Sequence, residues 1–407
     1  MEQATVASAA GTRLQRLWVL VGLTLGHAIV HWYQQSFVIL LPEIKRTLGL
    51  DPVQVGVLSS VRSFSGGVSN MASGFVSDLF RRQGALVLAV SMAWIGVAYL
   101  LVGIAPTYAL LLPAVALVGM GGAIWHPPAI AALSRWWPDR RGFAVGLHGV
   151  GGSIGDTLAP VMVGMLLLAF FWRTLLPFYA IPAVLLALGV WWTLRSSYQE
   201  DGGRPSLSQY VGAARAVLTN KVILVLLVVA GVRAMGQQAI LTFLPIYLRE
   251  EVGYSPALAG LSLSILTLMG IGSQPVLGWL SDRFGRKAVL GPGLALLALF
   301  ALLLMWARPG WEVMGVVLGL GVFFYALQAT ILAAAMDATA HGAEATAVSL
   351  IFGGTFLFAA LSPAVAGVVA REWGVTGVFP YTAALYLLSL LLLLPLRLPR
   401  PAQSPRP

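Results

Sequence analysis

The chain of 407 residues contains no cysteine, and only 10% of its residues are charged. The first absence excludes disulfides, thiolate metal centres and cysteine nucleophiles. The second, set against 58% hydrophobic residues and a mean hydropathy of +0.85, excludes an ordinary soluble domain, whose charged fraction runs to about 25%. A soluble globule must coat itself with polar groups, and this chain has too few. Disorder is excluded as well, because the sequence is neither polar nor poor in aromatics. There is no HExxH helix and no serine-centred elbow, so no catalytic machinery is visible. Acidic residues are scarce, 15 against 25 basic ones. The resulting net charge of +10 does not call for nucleic acid, because excess Lys and Arg mark the cytoplasmic loops of membrane proteins.

What the sequence has is long apolar runs. Bounded by Pro, Gly and charge, they predict twelve membrane-spanning helices at about 16–41, 53–77, 84–103, 107–134, 142–168, 174–194, 221–247, 256–280, 287–306, 311–337, 344–370 and 376–396. Trp136, Trp137, Trp191, Trp192, Trp306, Trp311 and Trp373 lie near span ends, as interfacial belts do. Residues 1–16 are polar, and the apolar run after them is too long for the core of a cleavable signal. Lys45, Arg46, Arg173, Arg249, Arg308 and Arg371 fall on one side of the membrane, and Arg62 and Arg233 fall inside spans. All other basic residues fall on the opposite side. That asymmetry places both termini in the cytoplasm of a multi-pass cell (inner) membrane protein.

Residues 196–220 form the one long polar connection, and they fall at the midpoint. They read as a cytoplasmic linker, with a short surface helix at Leu207–Leu218, between a bundle at 1–195 and a bundle at 221–407. The two halves repeat. Leu41-Pro42 matches Leu244-Pro245, and Gly49-x-x-Pro52-x-x-x-Gly56 matches Gly253-x-x-Pro256-x-x-x-Gly260. Gly74, Asp78 and Arg82 match Gly278, Asp282 and Arg286, and Pro160 matches Pro363. Matching spans have the same direction, so the repeat is parallel, about an axis along the membrane normal. The expected fold is therefore an all-α polytopic membrane protein, twelve helices in two pseudo-symmetric six-helix bundles.

The segment Gly278-Trp-Leu-Ser-Asp282-Arg283-Phe-Gly285-Arg286-Lys287, with its first-half copy, resembles the signature loop of the major facilitator superfamily. The first-half copy departs from the pattern, with Leu79 in place of Arg and Arg81 in place of Gly. The resemblance extends over the whole chain and implies a secondary transporter working by alternating access, with these loop residues governing the switch. Gly26-His27, Trp125-His126-Pro127-Pro128 and the Gly146-x-x-Gly149-x-Gly151-Gly152-x-x-Gly155 run look like the fosmidomycin-resistance branch of efflux carriers. His31 stands where that branch carries an acidic residue. The branch implies export of small anionic or amphiphilic compounds. On bare packing grounds the glycine run reads first as a close helix contact.

Ionisable groups inside spans are expensive and mark function. They are His27, His31, Arg62, His126, His148, Asp156, Arg233 and Asp337, and spans three, six, nine and twelve hold none of them. A central polar cavity follows. Arg62, Arg233, Gln237, Gln238, His27 and His31 are the expected substrate-binding set, with Tyr33, Phe37 and Phe243 touching an apolar body. Asp156, His31, His126 and His148 are the expected proton carriers. His126, before Pro127-Pro128, could instead cap a broken helix, Asp337 could be a loop ion pair, and Arg233 could pair with Asp156. HxxxH is a workable metal-ligand pair, but intramembrane carboxylates are few and the arginines repel cations, so neither a metal nor a cofactor is expected. The partners expected are an anionic small molecule, protons and the lipid bilayer, with the protein a monomer and not an enzyme. Proton-coupled export is weighed against proton-coupled uptake of an organic acid, and against a non-transporting membrane receptor.

Overall fold

The computed structural model describes residues 13–80, 83–195, 219–339 and 344–398. These residues form helices α1 (Arg13–Leu48), α2 (Pro52–Leu79), α3 (Gly84–Ile104), α4 (Tyr108–Trp136), α5 (Arg141–Ala169) and α6 (Trp172–Leu194) in the first half. The second half holds α7 (Lys221–Glu250), α8 (Pro256–Phe284), α9 (Arg286–Leu303), α10 (Trp311–Phe324), α11 (Ala326–Asp337), α12 (Glu344–Trp373) and α13 (Val378–Leu393). Helices α10 and α11 are one span interrupted at Tyr325, which gives twelve crossings. Ten spans are long and apolar enough to cross a membrane by length and composition. The two that fall short, α1 and α2, are long enough but carry His27, His31, Gln34 and Gln35 on the first and Arg62 with several serines on the second.

The repeated motif has a physical cause in each part. Gly49 and Gly253 close α1 and α7 at φ +60 and +75, a left-handed geometry that glycine adopts without strain. Pro52 and Pro256 open the following helices, where a missing N–H costs nothing. Asp51 and Gln54 cap α2 reciprocally: Oδ1 of Asp51 accepts from the Gln54 N–H at 2.8 Å, and Gln54 Oε1 accepts from the Asp51 N–H at 3.0 Å. Ser255 and Asn220 cap α8 and α7.

One expectation needs correction. The first span was expected to stop at Leu41-Pro42, yet α1 runs through Pro42 to Leu48, as α7 runs through Pro245 to Glu250. A single proline removes one backbone hydrogen bond, and the packed surroundings of Leu41 and Leu244, both almost fully buried, outweigh it.

The halves meet along α2–α12 and α5–α8. The outer helices α3, α6 and α13 present apolar side chains such as Trp94, Phe178, Leu185 and Leu391 to the surroundings.

Candidate functional site

Three helices of the first half converge through glycines. Gly26 on α1 lies so close to the Trp125 ring on α4 that a Cβ there would overlap it. On α5, Gly151 sits on the Thr24 backbone and Gly155 on that of Ala28, while a Cβ at Gly152 would come 2.7 Å from the His27 ring. The packing reading of the glycine run therefore holds for Gly151, Gly152 and Gly155. Gly146 and Gly149 face open space.

This convergence gathers four imidazoles from α1, α4 and α5. The His27 ring stacks on that of His148 with centroids 4.1 Å apart. It lies 4.5 Å from His31 and 5.1 Å from His126, with His31 and His126 5.9 Å apart. His27 Nδ1 lies 2.7 Å from the His148 carbonyl oxygen, which can only accept, so that nitrogen carries a proton. His31 Nδ1 faces Asp156 Oδ1 at 3.0 Å. Asp156 Oδ1 also accepts from Gln35 Nε2 at 3.2 Å. The expected proton set is thus brought together. Helix α4 is unbroken through Pro127-Pro128, so His126 caps no helix break.

The two central arginines have no carboxylate partner among the described residues. Arg62 donates from Nη1 to the Gln34 carbonyl at 2.9 Å, and its guanidinium stands 4.9 Å over the Phe37 ring. Arg233, only 1% exposed, donates to Gln237 Oε1 at 3.0 Å, to the Phe324 carbonyl at 3.1 Å and to Gln328 Oε1 at 2.6 Å. Arg233 therefore does not pair with Asp156. The Phe324 carbonyl is available because the helix breaks there, Gln328 N–H bonding instead to Tyr325 at 3.2 Å. The Tyr325 hydroxyl lies 3.5 Å from Gln35 Nε2 and within electrostatic reach of Asp156, Arg62 and Arg233. It joins the polar residues of both halves. Around Arg233 several buried groups keep unused polar atoms: its own Nε, Gln328 Nε2 and the Tyr386 hydroxyl.

The other expected substrate residues are placed differently. Tyr33 is 2% exposed, its hydroxyl donating to the Tyr179 carbonyl within a tyrosine cluster that includes Tyr99. Phe37 and Phe243 are buried, and Gln238 is half-buried, its carbonyl accepting from Thr242. Sequence reasoning passed over Gln35, Tyr325 and Gln328. Their signal was present, since an amide or phenol inside a span needs a partner, but attention went to charged groups.

In the loop set, Gly285 ends α8 at φ +97. Arg286 bonds Asp282, Ser281 Oγ at 2.8 Å and Asp337 Oδ2 at 2.8 Å. Asp337 is thus a loop ion pair. The Arg283 guanidinium lies 5.5 Å from the Trp279 and Phe284 rings, and Gly278 meets no neighbour. Arg82, the surroundings of Gly74, the Asp78 side chain, and the linker 196–218 with its expected surface helix lie outside the described residues.

The end opposite the termini is closed. Glu43 on α1 pairs with Arg249 on α7 at 3.0 Å, and Lys45 with Glu250 at 2.6 Å. Beneath them Gly56 rests on the Pro363 carbonyl and Gly260 on that of Pro160. Ser60 accepts from the Ala364 N–H at 3.0 Å and Ser264 from the Val161 N–H at 3.1 Å. Toward the other end Leu147, Val150 and Ile154 on α5 and Val276 and Trp279 on α8 are exposed.

A polytopic helical bundle with polar groups at its centre, closed at one end, has the architecture of a membrane transporter, and the family to which the chain belongs makes it a transporter and not an enzyme. The family model of the Major Facilitator Superfamily matches residues 23–273 and again 226–407, and the chain belongs to that superfamily. It is 23% identical to the fosmidomycin resistance protein of Escherichia coli, over 95% of this chain and 94% of that one. It is also 23% identical to a "Probable hexose phosphate transport protein" of Chlamydia trachomatis, over 93% and 90%. It is 31% identical to a "Probable nitrate/nitrite transporter NarK2" of Mycobacterium tuberculosis, over 68% and 71%. Among solved structures it resembles an inward-facing, unoccupied bacterial homologue of the human lysosomal transporter Spinster, with TM-score 0.78, 17% identity, and 94% and 96% of the two chains covered. It resembles the nucleoside transporter NupG as well, with TM-score 0.77, 12% identity, and 93% and 98% covered.

Proposed function

We propose that this transporter couples protons to the export of a small organic anion or anionic amphiphile by alternating access. It would work as a monomer in the inner membrane with both termini in the cytoplasm, through bundles 1–195 and 221–407 joined by the linker 196–220. The observation that carries the reading is the unpaired state of Arg62 and Arg233. A guanidinium at membrane depth needs a partner, and Asp156, which could have served, is engaged by His31 and Gln35. An anion supplies the missing charge and suits the fork geometry of arginine. Arg62 has the more accessible donors and makes the first contact. Arg233, fixed by Gln237 and Gln328, contributes charge from behind. Two relatives whose names give hexose phosphate and nitrate/nitrite, both anions, support the same sign. Asp156 and His31 are the proton carriers, with His126 and His148 beside them. The end closed by Glu43 and Arg249 is the outer one, so the site opens to the cytoplasm in this conformation.

The test is a binding titration on purified protein with a hexose phosphate, nitrate, an organic phosphonate and a lipophilic cation. Anions are expected to bind, and Arg62→Gln to weaken them by more than tenfold, since truncating a desolvated charge pair costs about 2–5 kcal/mol. Arg62→Lys restores little, because lysine keeps the charge and loses the fork. Preference for the cation, strengthened by Arg62→Gln, overturns the reading. Uptake in everted vesicles, with and without a pH gradient, separates export from proton-coupled uptake.

A further inference from the structure

We propose that the imidazole cluster of α1, α4 and α5 binds one divalent transition-metal ion of the zinc class, with His27, His31 and His126 as ligands. Their ligand nitrogens all lie within 4.8 Å of one another. A metal 2.0–2.1 Å from each nitrogen needs separations of about 3.4 Å, reached by small side-chain rotations. One of the ligands is already oriented as metal-bound histidines are, and a second nearly so. The Nδ1 of His27 is taken by the His148 carbonyl, and that of His31 lies 3.0 Å from Asp156 Oδ1, where a small turn of the ring aligns the hydrogen bond, which leaves both Nε2 lone pairs for an ion. A carbonyl or carboxylate behind a histidine fixes its tautomer and raises its basicity. His27 and His31 are four apart on α1 and share a face.

A second observation points to a ligand here. His148 is 3% exposed, and neither of its buried ring nitrogens makes a well-aligned hydrogen bond, the Leu23 backbone lying beside one of them. It is stacked on His27, so an unsatisfied imidazole stands at the edge of the site and can turn into the fourth position. Electrostatics permit a cation. Among the described residues the acidic group nearest the cluster is Asp156, against His31, while Arg62 and Arg233 are turned to the Gln34 carbonyl and to Gln237, Gln328 and the Phe324 carbonyl. Three neutral nitrogens with one orienting carboxylate favour Zn²⁺, Ni²⁺ or Cu²⁺ over the hard cations. All three ligands belong to the first half, so the ion would pin α1 to α4 without tying the two halves together. This is a resident site, distinct from cargo, and it does not depend on the anion reading; with the ion bound His31 and His126 no longer take up protons, and Asp156 is left as the proton carrier.

The experiment titrates Co²⁺, as a spectroscopic probe, and Zn²⁺ into purified full-length protein from which any affinity tag has been cleaved. Visible absorption follows coordination, and calorimetry follows affinity. Saturation at one ion per chain with bands of a four-coordinate nitrogen site is expected. His27→Gln, His31→Gln and His126→Gln should each weaken binding more than tenfold. Asp156→Asn keeps the three ligands and should weaken it by about tenfold, the usual effect of losing an orienting carboxylate. His341→Gln, which alters the remaining histidine, should change nothing. Should a histidine variant fail to fold, a rise in the melting temperature of the unaltered protein on adding Zn²⁺, smaller in Asp156→Asn at the same concentration, carries the same information. No saturable binding, or binding that survives loss of the three ligands or disappears in His341→Gln, overturns the proposal. Anion binding that persists in that case leaves the transport reading standing.

Discussion

Gly26 on α1 touches the indole of Trp125 on α4, with no room for a methyl group between them. The next residues along the two helices are His27 and His126, whose rings lie 5.1 Å apart. The glycine is what allows two imidazoles from separate helices to meet. Gly152 does the same on α5, where it leaves space for His27 to stack on His148. The glycines and histidines of this region are thus one construction.

Gly26→Ala should destabilise the protein by about 1–3 kcal/mol, the usual cost of overpacking a filled interior. Gly146→Ala is its control. Gly146 faces open space within α5, and alanine there gains up to about 1 kcal/mol of helix propensity. Thermal unfolding in detergent should show a lower midpoint for the first and an equal or higher one for the second. Equal midpoints for both would mean that the α1–α4 contact is not tight.

The repeat predicts a symmetric response at the closed end. Gly56 rests on the backbone of Pro363 and Gly260 on that of Pro160, and backbone cannot rotate away as a side chain can. Gly56→Val and Gly260→Val should each wedge the halves apart there. The absence of cysteine makes spin labelling direct. Labels at Arg46→Cys and Glu251→Cys, on exposed positions of α1 and of the turn after α7, should report a longer distance in both variants. A lengthening in only one would show that the two interfaces do not act as equivalent gates.

The spans were legible because membrane helices are long and their apolar runs cannot be mistaken, and the halves were legible because they repeat. The helix ends were less so. Pro42 looked like a stop, and nothing local shows that packing around Leu41 carries α1 onward. Within the site, His27 and His31 could be paired from their spacing, but His126 and His148 sit on other helices. Their convergence depends on Gly26 and Gly152 meeting particular neighbours. Of the three partners of Arg233, Gln237 is legible as a neighbour four residues on, but the Phe324 carbonyl is not. It is exposed by a helix break at Tyr325, and backbone acceptors leave no mark in a sequence. Tyr33, Phe37 and Phe243 are expected to touch an apolar body of the substrate, but their burial depends on which way each helix faces, which no local pattern shows.

At the signature loop, Arg286 is the hub and its two acids are unequal. Asp337 is 22% exposed and Asp282 62% exposed. An exposed pair is worth roughly 0–1 kcal/mol, and a sheltered one more. Asp337→Asn should therefore lower stability more than Asp282→Asn. Both partners lie in the second half, and among the described residues Asp282 holds no contact between the halves in this conformation. Asp282→Asn should slow transport, and leave the melting temperature nearly unchanged, if the loop acts in the other conformation. Unaltered rates would remove Asp282 from the switch.

The closed end also carries an ionic latch, whose strength can be read from burial. Glu43 is 6% exposed, and its two oxygens serve Arg249 at 3.0 Å and Arg46 at 2.7 Å. Arg46 is 72% exposed and spans three residues of the same helix, so it contributes little. Arg249 reaches from the other half and carries the latch. Glu43→Gln leaves that guanidinium without its charge partner. Removing one member of a fully buried pair costs about 3–5 kcal/mol, but Arg249 is 24% exposed and water recovers part of this, so about 1–2 kcal/mol is expected. Lys45–Glu250 remains intact in the variant and keeps the end from opening fully. The effect is a shift of roughly tenfold in the balance between closed and open ends, visible as a second, longer distance between the spin labels. Arg249→Gln should produce the same shift. The charge-reversed pair, Glu43→Arg with Arg249→Glu, should recover much of the closed population, because it restores the attraction between α1 and α7 at the same place. If the reversed pair opens the end as far as either single change does, the contact acts through shape rather than charge.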